Sequence, residues 1–145
     1  MKFILIDQVI ELEPDRARAV KQVTAAEEYL ADHFPGFPVL PGVMMLEAMV
    51  QTARRLLADR TAEPRNPSGR IVLGSVQALK YGSMVRPGES LDIEVVLRKE
   101  LGDGCFELKG VGRVLRTGRD ANRPEEGGGE TAVSGRFTMR PIRID

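Results

Sequence analysis

The chain of 145 residues has one cysteine, one histidine, no excess of either charge and no long apolar run, and each shortage removes a class of function. Cys105 has no second cysteine to pair with, and no Cys or His stands near it at metal-ligand spacing. It is read as a passive residue, and no metal site is expected. Lysine plus arginine and aspartate plus glutamate number 21 each, with no basic block and no alternation of basic and aromatic residues, so nucleic acid is not an expected partner. The opening MKFILIDQVIELE places only Phe3 to Ile6 in an unbroken apolar run, too short for a secretory signal or a membrane span, and a cytoplasmic protein is expected. One core, hence one domain over 1–145, is expected at this length.

What the chain does contain is patterned. Residues 3 to 12 and 15 to 24 are rich in β-compatible side chains and flank Pro14-Asp15, which predicts a hairpin. A short helical turn at 25 to 31 leads into FPGFPVLPG, whose proline and glycine density forbids helix or central strand and implies a structured loop. From Pro41 or Gly42 to about Asp59 the residues favour a helix, apolar nearly all round in its first three turns, as suits a helix enclosed by a sheet. Strand-like runs follow at 70 to 81, 90 to 100, 104 to 116 and 130 to 140, expected to pair as a meander, with a flexible insertion at 117 to 129. The fold class is therefore α+β: a curled antiparallel sheet around one long helix, with edges that a second copy can cover.

Three residues carry the candidate chemistry. His33, the single histidine, lies in the rigid loop just ahead of the helix. A lone histidine is more often structural than catalytic, and Glu47 is what raises its interest. Glu47 sits in the helix at VMMLEAMVQ with apolar neighbours, where a carboxylate is costly unless paired, hydrogen-bonded or protonated. An ion pair with Arg54, two turns on, is the bland alternative to catalysis. Gly42 opens the helix, so its amide lacks an intrahelical partner and can receive a developing oxyanion, while the missing side chain allows close approach of a ligand. Base, acid and oxyanion donor are the parts needed to eliminate water β to a thioester carbonyl.

At HFPGFPVLPGVMMLEAMVQ the sequence resembles the 3-hydroxyacyl-[acyl-carrier-protein] dehydratases of the FabZ and FabA kind, through His33, Phe34, Pro35, Gly36, Pro38, Pro41, Gly42, Val43, Glu47, Ala48 and Gln51. Glutamate at 47 resembles the FabZ branch. The resemblance implies a hotdog fold and a dimer, often a trimer of dimers, whose sites combine His33 of one subunit with Glu47 of the other. It implies a hydro-lyase acting on a substrate carried by the phosphopantetheine of an acyl carrier protein, with no metal or organic cofactor. His33 would take the α-proton, Gly42 would hold the oxyanion and Glu47 would assist departure of the hydroxyl. Val43, Gln51 and Tyr81 complete the expected substrate-binding set, Gln51 by orienting Glu47 and Tyr81 as a wall or gate. Asp32 and Phe37 depart from the family pattern: Asp32 bears on the setting of His33, Phe37 on how a carrier docks. Arg54, Arg55, Lys80 and Arg86 are candidates to meet an acidic carrier. The alternatives are a hotdog thioesterase, a hydratase of coenzyme A thioesters and an acyl-binding subunit without turnover.

Overall fold

The structure, a computed structural model, describes residues 3–61, 69–116 and 129–142. Pro14 and Asp15 turn the chain between β1 (Gln8–Leu12) and β2 (Arg16–Gln22), with the Glu13 amide donating to the Arg16 carbonyl at 2.8 Å. A one-turn 3-10 helix, Glu28–Ala31, precedes the Pro- and Gly-rich loop, and α1 (Gly42–Leu56) follows it. The helix stops three residues short of the expected Asp59: the Leu57 amide still donates to Ala53 O, but Ala58–Arg60 tightens into a 3-10 turn. The remaining strands are β3 (Ile71–Tyr81), β4 (Ser90–Gly102), β5 (Cys105–Leu115) and β6 (Glu130–Pro141). The expected insertion at 117 to 129 lies outside the described residues except for Gly129.

The six strands form one antiparallel sheet in the order β1-β2-β4-β5-β6-β3. The expected meander holds for β4, β5 and β6 and fails for β3, which pairs with β6 at the far edge instead of with β4. The reason lies in residues 82 to 89. Gly82 and Ser83 donate to Ala132 and Thr131, and the Val85 carbonyl then accepts the Leu40 amide, so the chain leaves the edge and passes against the loop ahead of α1 before entering β4. Residues 3 to 5 also differ from the predicted strand, since they run along α1, where the Leu5 amide donates to Gln51, and the chain joins β2 at Asp7, whose amide donates to Val20 O.

Strand β3 carries a bulge. Gln77 pairs with Arg136 and Lys80 with Ser134, which leaves Ala78 and Leu79 together opposite Gly135. Ala78 has φ +52°, a left-handed conformation that costs an L-residue roughly 1–2 kcal/mol. The extra residue reverses the alternation beyond it, so Lys80 leaves the inner face and Tyr81 enters it. A Cβ at Gly135 would lie 3.2 Å from Leu79 Cδ1 and 3.3 Å from its Cα, so the bulge depends on that glycine.

The sheet covers one face of α1. Met45, Ala48, Met49, Val50, Thr52, Ala53 and Leu56 are buried, with Leu91, Ile93, Leu108, Phe137 and Met139 beneath them. Full burial of a large apolar side chain contributes roughly 1.5–3 kcal/mol. Contact is closest at Gly110, where an added Cβ would collide with the sulfur of Met49. Within one chain the enclosure is one-sided: Val43 is 68 % exposed, and Met44 and Leu46 are only half-buried. A single curled sheet reaches round one side of the helix and leaves the other apolar side bare.

Candidate active site

The His33 loop is built by its own backbone. Phe34-Pro35-Gly36-Phe37 forms a turn closed by the Phe37 amide donating to Phe34 O at 2.9 Å, with Gly36 at φ +76°, the position a type II turn reserves for glycine. The Phe34 amide donates to Phe37 O at 3.0 Å, and beyond the turn the Val39 amide donates to His33 O at 2.9 Å. In return His33 Nδ1 lies 2.8 Å from Val39 O. A carbonyl only accepts, so Nδ1 carries a proton, and Nε2 is the ring nitrogen left to exchange one. The ring is half-buried and stacks on Phe34 with centroids 4.2 Å apart. Asp32 is exposed and makes no ion pair with His33 among the described residues.

The turn that delivers the chain to this loop is anchored by a compact network. Glu27 accepts from Lys21 Nζ at 2.7 Å, from the Tyr29 hydroxyl at 2.6 Å and from the Thr24 amide at 2.8 Å. Burial pushes the Glu27 carboxyl up, but Lys21, Tyr29 and the Thr24 amide outweigh it and hold the group below its ordinary value. Burial, reinforced by Glu27, raises the Tyr29 hydroxyl well above its usual range. Nothing in the sequence pattern singled out this trio, which forms only when β2 and the 3-10 turn pack together.

Glu47 is held from a distance. Its Oε1 accepts from Gln51 Nε2 at 3.1 Å and from Arg54 Nη1 at 3.4 Å, while Oε2 accepts no hydrogen bond among the described residues. Both donors are themselves tethered. Gln51 accepts the Leu5 amide at 2.8 Å and donates to Phe3 O at 3.1 Å; Arg54 Nε donates to Ile71 O on β3 at 3.2 Å. The expected orienting role of Gln51 therefore has a geometry, and the Arg54 pair, considered as the alternative to catalysis by Glu47, is formed on the same oxygen. The carboxylate itself is 28 % exposed, which corrects the expectation of a deeply buried acid: it lies on the margin between the covered and bare faces of α1.

Gly42 has a different neighbour from the one expected. A Cβ there would stand 2.7 Å from the Tyr81 ring carbons and 3.1 Å from its hydroxyl, so the glycine makes room for Tyr81. The bulge turns Tyr81 toward the start of α1, and the tyrosine, 52 % exposed, forms a wall over it. The amides of Gly42 and Val43 belong to the first helical turn, where no intrahelical acceptor exists. Of the four candidate docking cations, Arg54 is engaged with Glu47 and Arg86 lies 4.8 Å over the Phe37 ring; Arg55 and Lys80 are exposed. Met49 is fully buried against Gly110 and Met45 is buried too, which leaves Met44 as the accessible methionine in the first three turns of α1.

Within one chain His33 and Glu47 share no hydrogen bond or ion pair among the described residues. One sits at the mouth of the helix and the other on its outer margin. No cluster of His, Cys, Asp and Glu able to hold a metal ion occurs among the described residues. None of the described helices is long and apolar enough to cross a membrane.

Comparison with known proteins meets this geometry from outside. The family described as ApeI dehydratase, ApeI-like, matches residues 9–119. A 3-hydroxyacyl-[acyl-carrier-protein] dehydratase FabZ of Verminephrobacter eiseniae is 36 % identical over 113 residues, 77 % of this chain and 75 % of that one. Another, from Anaeromyxobacter sp. strain K, is 40 % identical over 114 residues, covering 77 % and 72 %. Among solved structures, the dehydratase heterocomplex ApeI:P from Xenorhabdus doucetiae superposes with TM-score 0.65 at 19 % identity, over 97 % of this chain and 99 % of that one, a likeness of fold. The six-stranded curled sheet carrying one helix is thus the hotdog fold. With more than half the chain inside the family match and relatives above one-third identity, the chain belongs to the ApeI-like dehydratase family.

Proposed function

We propose that this dehydratase removes water from 3-hydroxyacyl thioesters presented by an acyl carrier protein, giving trans-2-enoyl thioesters for acyl-chain synthesis in the cytoplasm. The observation that carries the reading is the bond between His33 Nδ1–H and Val39 O, which occupies Nδ1 and leaves Nε2 as the ring nitrogen that can take a proton. Nε2 takes the α-proton, and negative charge moves onto the thioester oxygen, where the amide at Gly42 receives it with the positive end of α1 behind. Glu47 supplies a proton, directly from Oε2 or through a water, to the departing 3-hydroxyl, so that water leaves and the α–β double bond forms. His33 then returns its proton to solvent and Glu47 regains one. Preorganised acid-base groups contribute ~10²–10⁴-fold each, and an oxyanion donor about 3–4 kcal/mol. The protein groups suffice for this sequence, and no metal or organic cofactor is assigned a step.

The active unit is proposed to be a dimer in which His33 of one copy faces Glu47 of the other. The bare face of α1 with Val43 exposed and the edge strand β3 supports this, because both are surfaces a second copy can cover. The test is hydration of a crotonoyl thioester, the same path in reverse, with wild type, His33→Ala and Glu47→Ala. Both changes should abolish most turnover. Activity indifferent to them would overturn the reading, and release of free thiol in place of hydration would turn it into a thioesterase.

A further inference from the structure

The outer face of the sheet handles charge differently at its two ends. On β1, β2 and β4 the cations are matched: Arg16 pairs with Glu11, Glu13 and Glu94, and Arg18 with Glu11 and Asp92. Toward β3, β6, β5 and the far part of β4 they are not. There Lys80, Arg98, Lys109 and Arg136, with Glu107 and Ser134, line a concavity of about 290 Å³. None of these four cations makes an ion pair or a side-chain hydrogen bond among the described residues, and all four are exposed.

Two details show that this is a built feature and not a scatter of solvated lysines and arginines. Lys109 and Arg136 are direct register partners on β5 and β6, an opposition of like charges that destabilises a sheet unless an anion lies between them. The bulge at Ala78 and Leu79, opposite Gly135, is what turns Lys80 to the outer face, and Ala78 and Gly135 themselves border the hollow. Four strands therefore converge cations on one depression, in a chain whose formal charge is zero.

We propose that this concavity binds a small anion carrying two phosphoryl groups, at a site on the opposite face of the sheet from the dehydratase centre. A phosphoryl group bears about −1.5 to −2, so two are needed to balance four cations offset by one carboxylate. Arg98 and Arg136 supply planar donor forks suited to phosphate oxygens, and the two lysines act as point charges. The volume is at the small end of ligand sites, which run from roughly 300 Å³ upward, and fits a diphosphate group better than an extended molecule. Such a group has more than one source: free diphosphate, a nucleoside diphosphate, or the diphosphate of coenzyme A.

Isothermal titration of the full chain with inorganic diphosphate, adenosine diphosphate and coenzyme A, against sulfate at matched ionic strength, tests the site. Saturable diphosphate binding at least tenfold tighter than sulfate is expected. Adenosine diphosphate or coenzyme A binding tighter still would identify the nucleotide or the coenzyme as the source. Lys109→Gln with Arg136→Gln should weaken diphosphate at least tenfold, Lys80→Gln several-fold, and Arg113→Gln, on the same face outside the hollow, not at all. Hydration of the crotonoyl N-acetylcysteamine thioester, which has no phosphate, should be unchanged in the double variant. Should the double variant melt early, Lys80→Gln and Arg98→Gln singly replace it. Diphosphate no tighter than sulfate, or equally tight to wild type and the charge variants, overturns the site.

Discussion

The loop that carries His33 and the helix that carries Glu47 position their residues by opposite means. His33 is fixed within seven residues by backbone groups: the Gly36 turn, the Val39 amide and the Val39 carbonyl. Glu47 depends on side chains that reach out of the helix to Phe3, Leu5 and Ile71, on segments far away in the sequence. Local backbone fixation makes the base insensitive to how the rest of the chain packs. Long-range fixation makes the acid a reporter of tertiary structure. The difference teaches that the two halves of one site can fail independently, and substitutions can separate them.

The largest effects come from removing the groups themselves. His33→Ala and Glu47→Ala should each lower the hydration rate by ~10²–10⁴-fold with little change in melting temperature, since neither side chain is deeply buried. A loss confined to one of them would break the symmetry of the pair. Next is Gln51→Ala, which removes three hydrogen bonds and unties residues 3 to 5 from α1. It should cost about 1–2 kcal/mol in urea unfolding and about tenfold in turnover. Gly36→Ala attacks the other half: a side chain at φ +76° is strained by roughly 1–2 kcal/mol, and loosening the turn should reduce turnover several-fold without altering the Glu47 contacts.

The smallest effect concerns the turn leading into the loop. Glu27 has its folded value held below 4.5, so its contribution is present above that value and lost as pH falls through the lower folded one. Glu27→Gln should therefore destabilise by about 1–2 kcal/mol at pH 7 and by progressively less in acid. Parallel urea curves at pH 7 and pH 3 measure it; a deficit that stays constant between the two would show that the Lys21–Glu27 pair is not the source.

The same division explains what could be read from the sequence. His33, Glu47, Gly42 and Gln51 lie on one short stretch, and a motif at fixed spacing brings them out together. The loop was legible as a loop because Pro35, Gly36, Pro38 and Pro41 leave the backbone few options. Arg54 beside Glu47 also follows from helical spacing. The tautomer of His33 was not legible, because it requires the closed turn that sets Val39 O against Nδ1. The ring of Tyr81 over Gly42 was hidden for a stronger reason: it depends on a bulge on another strand, and strand periodicity assumes that no such residue is inserted. The place of β3 at the far edge was equally hidden, since the connection through Val85 is chosen by tertiary contact with Leu40. Helix propensity carried the prediction past Leu56, where only packing says stop.

The bulge at Ala78 absorbs a difference in length. Deleting Ala78 would leave Gln77, Leu79, Lys80 and Tyr81 in regular alternation opposite Arg136, Gly135, Ser134 and Val133, so Lys80 and Tyr81 would keep their faces and only the left-handed kink would go. The tyrosine beside the first amides of α1 and the lysine on the opposite surface therefore hold their places through the pairing with β6, and the extra residue is taken up before it reaches them. A relative that lacks that residue can keep both surfaces, so a length difference of one in this strand marks the bulge and not a change in the site mouth or the outer face.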